Sequence, residues 1–232
     1  MKVEDQKIYI LHSYPFKETS LLVEVFSQNY GRLSLLAKGA RRPRSVLRGY
    51  LQPFQQIQAT WSGVGDLKTL FGVEWSSCFL GLQNQSLICG FYLNELLIKL
   101  LPREDPNPKL FDFYHKVLQR LSKREDFEKV LRLFELRFLK ELGYEVGLEY
   151  DVKQNKILPH LLYFYEAEYG ASPFLKKTNN GIKLNGQTLI DMANEEYSNP
   201  TTIKQSKLLM RYLISFYLDN KDLKTRELFI KN

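Results

Sequence analysis

Hydrophobic and polar residues alternate with a period of two over short runs in the first 76 residues, and these runs predict five strands. Lys7–Tyr14 and Ser20–Ser27 are rich in Ile, Leu, Val and Tyr, with Pro15 in the bend between them. Gly31–Lys38 sets Leu33, Leu35 and Ala37 against Arg32, Ser34, Leu36 and Lys38. Phe54–Trp61 is cleaner, with Ile57, Ala59 and Trp61 on one face and Gln56, Gln58 and Thr60 on the other. Leu67–Trp75 places Leu67, Thr69, Phe71, Val73 and Trp75 together. Turn signals at Asn29-Tyr-Gly31 and Ser62-Gly-Val-Gly65 bound these runs. Five short strands with no helical pattern between most of them suit a closed barrel, because closure removes the unpaired edges of a lone sheet. An OB-type barrel is expected, with an SH3-like barrel as the structural alternative.

After Trp75 the period changes. Ser86–Leu101 is almost continuously apolar, which predicts a helix buried on most sides. Asn107-Pro108 reads as a cap followed by proline at the first helical position, with Phe111, Tyr114, Val117, Leu118 and Leu121 as the stripe behind it. A third helix is expected from about Asp126 to Leu142, ended by Gly143. Thr202-Ile-Lys-Gln205 has capping-box spacing ahead of a stripe of Leu208, Leu209, Tyr212, Leu213, Phe216 and Tyr217. Residues 144–190 fit neither period. Leu161–Tyr165 has the composition of one strand, while Lys176–Gly181 and Leu184-Asn-Gly186 are rich in turn residues. The expected class is therefore α+β: an OB-fold domain over residues 1–80, then an α-helical bundle domain over 81–232 that carries an irregular, cysteine-free insertion at about 144–190.

The composition, 44% hydrophobic and 25% charged, is that of a globular protein with a sizeable core. No apolar run reaches the roughly 18 residues of a membrane span, and the first residues lack a signal-peptide core, so a cytoplasmic protein with no membrane partner is expected. Cys78 and Cys89 belong to no Cys-x-x-Cys pair and read as small buried hydrophobes in a reducing compartment.

The net charge of +7 is uneven: residues 1–80 carry ten basic and six acidic side chains, 81–150 carry eleven of each, and 151–232 carry twelve and nine. Between Glu24 and Asp66 there is no acidic residue, yet Arg32, Lys38, Arg41, Arg42, Arg44 and Arg48 all fall there. A solvated face mixes signs; a one-signed block between strands is shaped for a polyanion. Gly39 and Gly49 bracket the block, and arginine dominates it, as suits bidentate phosphate contact and stacking on bases. Among Tyr9, Tyr14, Phe16, Phe26, Tyr50, Phe54 and Trp61 most belong to the core, leaving one or two as stacking platforms.

Catalysis finds little support. His12, His115 and His160 lie far apart, without metal-ligand spacing to a cysteine or carboxylate, and read as surface or capped residues. Asp191, Glu195 and Glu196 fit a solvated helix face better than a nuclease-like metal site, and Gly63-Val-Gly65 fits a plain turn. No phosphate-loop motif is present, and no cofactor, metal or small-molecule substrate is expected.

Longer stretches carry a resemblance. Leu11-His-Ser-Tyr-Pro-Phe-Lys-Glu-Thr-Ser-Leu-Leu, Gly31-Arg-Leu-Ser-Leu-Leu-Ala-Lys-Gly-Ala-Arg-Arg, Leu47-Arg-Gly-Tyr-Leu-Gln-Pro-Phe and Leu67-Lys-Thr-Leu resemble the N-terminal domain of the bacterial RecO recombination mediators. Tyr92-Leu-Asn-Glu-Leu-Leu, Phe134-Glu-Leu-Arg-Phe-Leu-Lys-Glu-Leu-Gly-Tyr and Leu223-Lys-Thr-Arg-Glu-Leu-Phe resemble that family's helical part. The resemblance implies binding of single- and double-stranded DNA, annealing of complementary strands, and help in loading RecA onto DNA coated by single-stranded-DNA-binding protein, with RecR and RecF as further partners at the bacterial nucleoid. It also implies that the acidic tail of the single-stranded-DNA-binding protein docks on the helical domain. There Arg132, in Val130-Leu-Arg-Leu-Phe-Glu, matches an arginine that would pair with the tail's carboxylates. Many members carry a four-cysteine zinc-finger-like insertion; residues 144–190 here contain no cysteine, so no zinc site carries over. The DNA-contacting set expected is Arg32, Lys38, Arg41, Arg42, Arg44, Arg48 and Lys68. A non-enzymatic annealing protein is thus the expected function, with an RNA-binding OB protein or a metal-dependent nuclease as alternatives.

Overall fold

The computed structural model describes residues 2–76, 81–174 and 181–229. By packing the chain forms two compact units, one of residues 1–125 with 223–232 and one of residues 126–222, so the expected division at 80/81 falls inside the first.

In the first unit β1 (Lys2–Phe16), β2 (Ser20–Ser27), β3 (Gly31–Ala37), β4 (Gln56–Ser62) and β5 (Leu67–Trp75) close a barrel in the order β1-β2-β3-β5-β4, with a short α1 (Leu47–Tyr50) between β3 and β4. Only β3 and β5 pair in parallel; the other neighbours are antiparallel. This is the five-stranded OB arrangement. Its interior is filled by the period-two residues: Ile8 and Ile10, Val23 and Val25, Leu33, Leu35 and Ala37, then Ile57, Ala59 and Trp61.

Two strands depart from the expected pattern. β1 begins at Lys2 rather than Lys7, because its polar first turn pairs with β4 through a register shift between Val3 and Gln6. In β5 a bulge opposite Thr60 and Trp61 turns Leu70 inward and leaves Phe71 66% exposed, so Leu67, Phe71 and Trp75 do not share a buried face.

The middle of β1, Ile8–Leu11, is buried on both faces. Its outer face is covered by α2 (Gln85–Leu100) and α3 (Pro108–Ser122). The Tyr9 ring meets Tyr114 edge-on at 5.0 Å and Phe111 at 5.2 Å. Asn94 Nδ2 donates to Leu11 O at 2.7 Å and the Tyr114 hydroxyl donates to Asn94 Oδ1, so this contact is polar as well as apolar. Gly90 lets α2 approach the barrel: a Cβ there would lie 2.8 Å from the Phe54 ring and 2.7 Å from Leu82. α3 starts as expected, with Asn107 Oδ1 accepting from Leu110 N.

A charged knot ties the α2–α3 connection to the barrel. Glu24 is 5% exposed and accepts from Arg32 at 3.1 Å, from Arg103 at 3.2 Å and from Ser34. Arg32 Nε also donates to Leu101 O at 2.9 Å, and Glu104 N donates to Arg32 O. Gly31 at φ +66° permits this approach, since a Cβ would fall onto the Asp105 backbone. The unit is completed by α7 (Thr225–Leu228), whose start is held by Glu95 of α2: the Lys224 and Thr225 amides each donate to the carboxylate at 2.9 Å, and Thr225 Oγ1 at 2.6 Å.

The second unit contains α4 (Phe127–Glu141), β6 (Leu162–Glu166), β7 (Gly170–Pro173), β8 (Ile182–Asn185), α5 (Gly186–Ala193) and α6 (Pro200–Tyr217). The stretch expected to be irregular apart from one strand at Leu161–Tyr165 holds that strand as β6 within an antiparallel sheet in the order β7-β6-β8, whose Tyr163, Tyr165, Ala171 and Leu184 share a core with Leu139, Leu209 and Leu213. Asp126 caps α4 and Gly143 follows it at φ +84°. α6 is capped by Asn199, with Pro200 next, and not by the Thr202/Gln205 box. Those two side chains face the unit's interior instead: Thr202 Oγ1 donates to Asp191 at 2.5 Å, and Gln205 Oε1 accepts from Asn185 N and Thr188 Oγ1. Cys89 is fully buried; Cys78 and the expected turn at 176–180 lie outside the described residues.

The knot and the α7 clasp each have a measurable consequence for stability. Glu24→Gln leaves the half-buried Arg32 guanidinium without its countercharge, and removing one partner of such a pair costs about 3 kcal/mol, the lower end of the usual range because Arg103 reaches solvent. The urea midpoint should fall accordingly; an unchanged midpoint would show that the knot carries no stability. Burial pushes the Glu95 carboxyl up, but hydrogen bonds from Thr225 and Lys224 outweigh it and hold the group below its ordinary value. A depressed carboxyl contributes stability above that value and loses it as the pH falls through the folded one, so α7 should loosen in acid. The protection factor of the Thr225 amide, its exchange rate relative to an unfolded chain at the same pH, should fall below about pH 4.5 in the wild type and be low at every pH in Glu95→Ala.

Candidate nucleic-acid interface

The basic block forms an ordered loop between β3 and α1. Gly39 turns it at φ +71°, and the fully buried Ala40 closes one end of the barrel core. Arg41 N donates to Thr19 O at 2.9 Å and Arg41 Nη1 to Lys17 O at 3.0 Å; Arg42 N returns to Gly39 O and Ser45 N to Arg42 O. With its backbone tied down in this way, the loop presents Lys38, Arg41, Arg42, Arg44 and Arg48 as exposed side chains. Among the described residues none of these five forms an ion pair. A polyanion can therefore engage them without first displacing a carboxylate.

Three other expected contact residues stand apart from this free surface. Arg32 is committed to the knot with Glu24, because a guanidinium on the barrel wall must be neutralised where water is excluded. Lys68 is ion-paired to Glu104 and also donates to Gly65 O. Arg132, in the second unit, is 6% exposed and paired at 2.5 Å with Glu135, itself 1% exposed. Arg132 is therefore not a solvated surface charge: its guanidinium is engaged with Glu135. Its Nε and the Tyr197 hydroxyl are buried without a hydrogen-bond partner among the described residues.

Of the seven aromatics, Tyr9, Phe26, Phe54 and Trp61 are core. Tyr14 is 42% exposed, and Tyr50 is half-buried. Tyr50 stacks at 4.3 Å and 28° on Trp75, which is 51% exposed. Trp75 is not among the expected stacking residues; its signal is a large aromatic at the end of a strand whose alternation has already broken. Beside Arg41 and Arg48 lies a groove of about 620 Å³, walled by His12 and Ser13 of β1, Leu51 and Pro53 after α1, and Phe91 of α2. Burial pulls the His12 imidazole below its ordinary range, with the Glu24 carboxylate pulling the other way.

Among the described residues no group of three or more His, Cys, Asp or Glu side chains is placed to hold a metal ion. Asp191, weighed above as a nuclease ligand or a solvated charge, is neither: it is buried and accepts from Thr202 and Gln187. No helix among the described residues is long and apolar enough to cross a membrane.

The chain matches two family models, "Recombination protein O N terminal" over residues 1–79 and "Recombination protein O C terminal" over residues 84–227. It is 48% identical to a DNA repair protein RecO of Nitrosospira multiformis over 97% of this chain and 94% of the relative. A DNA repair protein RecO of Dechloromonas aromatica is 45% identical over 98% and 96% of the two chains, and one of Burkholderia lata is 42% identical over 99% and 83%. An OB barrel that exposes an unpaired cationic loop, joined to helical structure and matched to these models along almost its whole length, places this chain in the RecO family of DNA repair proteins.

Proposed function

We propose that this chain is a non-enzymatic DNA-binding and strand-annealing protein of recombinational repair that acts in the bacterial cytoplasm, at the nucleoid. The observation that carries this reading is the ordered loop from Lys38 to Arg48, which holds five exposed cations with no carboxylate among them. Annealing requires no covalent step. A cationic surface that holds two strands offsets their repulsion, raises their effective concentration and leaves base pairing to complete the duplex. In this reading Lys38, Arg41, Arg42, Arg44 and Arg48 touch phosphate, while Arg32 and Lys68 hold the barrel wall behind them.

The same reading includes loading of RecA onto DNA coated by single-stranded-DNA-binding protein, with RecR and RecF as partners. An acidic tail has a match in the second unit, where Pro200, Ile203, Lys204 and Lys207 line a small apolar and basic groove beside Glu128. Arg132 takes part by exchanging its Glu135 carboxylate for one of the tail's.

A strand-annealing assay with and without magnesium tests the main claim. Complementary strands should anneal, without shortening, in a chelator as well as in magnesium; magnesium-dependent shortening would instead identify a nuclease. A second test addresses the loop. Replacing Arg41, Arg42 and Arg44 by alanine should weaken binding to all DNA sequences alike and reduce the magnitude of the salt slope by about 0.7–0.9 for each phosphate that is no longer neutralised. These side chains are exposed, so the melting temperature should hold. An unchanged slope would exclude this loop as the DNA site.

A further inference from the structure

The groove beside the loop has chemistry that phosphate contacts leave unused. Its volume, about 620 Å³, lies within the roughly 300–1,000 Å³ of small-molecule sites. The floor is apolar, with Leu21, Ala40 and Leu51 beside the Phe91 ring, and two guanidinium groups, Arg41 and Arg48, stand with it. Among the described residues no acidic side chain lines it. The site is thus cationic with an apolar interior, which does not suit an all-polar anion such as inorganic phosphate.

Its polar groups point to a planar heterocycle. The His12 imidazole lines the groove and can make one hydrogen bond to a base edge, through a ring N–H or a ring lone pair. The Ser13 hydroxyl donates to Leu51 O at 2.9 Å and so presents acceptor lone pairs. Phe91 supplies an aromatic ring, held by a 5.1 Å contact with Phe54.

We propose that this groove receives one unpaired base of single-stranded DNA, with Arg41 and Arg48 on the adjoining phosphates. A base inside a duplex is stacked and paired, and extracting it costs a few kcal/mol, so the groove favours single strands. The proposal rests on the DNA-binding reading above and adds to it a site that reads the base rather than the backbone.

The test compares a single-stranded oligonucleotide with an abasic oligonucleotide of equal length, by fluorescence anisotropy, for the wild type, Ser13→Met and His12→Ala. Methionine at position 13 fills the groove with a flexible apolar chain, while His12→Ala removes the edge contact and leaves the space open. Thermal melts establish that each variant is folded. The wild type should bind the base-bearing strand about 5- to 150-fold more tightly, the range for one stacked base. Ser13→Met should erase most of that difference, His12→Ala should reduce it, and affinity for the abasic strand and its salt slope should stay within about two-fold of the wild type. Equal binding of both strands by the wild type would overturn the base site and leave the DNA-binding reading standing. A preference that survives in the folded variants would also overturn it, moving the stacked base to another surface such as Tyr50 and Trp75. Failure of the wild type to bind either strand would overturn both.

Discussion

The Glu24 carboxylate is the charge around which the first unit is arranged. It sits where water is excluded, and it is tolerable there because Arg32, Arg103 and Ser34 all donate to it. One effect is mechanical: the segment between α2 and α3 is fixed to β3. The other is electrostatic. By engaging the arginine nearest the barrel wall, Glu24 separates two populations of positive charge that the sequence runs together. Arg32 belongs to the fold, and the cations from Lys38 to Arg48 are left to solvent. An acid-free stretch of chain therefore becomes a free cationic surface only from Lys38 to Arg48.

Much of the fold was readable because local rules and global packing agree. The inward residues of β2, β3 and β4 are the period-two residues, and Asn107, Asp126 and Gly143 act where their chemistry says they should. The failures have distinct causes. The start of β1 is mostly polar: it turns only Val3 into the core, opposite Trp61, before the register shifts at Gln6. The β5 alternation is broken by a bulge, an extra residue that no period can register. Within residues 144–190 the composition of Leu161–Tyr165 announced β6, but β7 and β8 have four residues each, too short to establish a period. The Thr202/Gln205 spacing is a true motif put to another use, because Asn199-Pro200 offered a better start and Asp191 needed a donor.

For the site, the one-signed loop was legible and the pairing of its neighbours was not. Arg32 finds Glu24 eight positions away across a β-ladder, and Lys68 finds Glu104 across thirty-six. Arg132 and Glu135 are three apart on one helix, so that pairing was within reach of helical spacing; their burial was not. The motifs that carry the family resemblance meet one another in space. Asn94 of Tyr92-Leu-Asn-Glu holds the Leu11 carbonyl, and Glu95 beside it holds Thr225 of Leu223-Lys-Thr-Arg. Sequence displays those stretches separately, and their common cause is contact.

The clasp between Glu95 and Thr225 joins groups 130 positions apart in one unit, with the whole of residues 126–222 threaded between them. During synthesis at about 5–20 residues per second, the α2 carboxylate emerges roughly 7–25 s before the residues that complete its site. For that interval the barrel and its helices have been made, but their last helix has not. The unit bearing the cationic loop is thus the first to begin and the last to finish, and its assembly closes only after the intervening unit has left the ribosome.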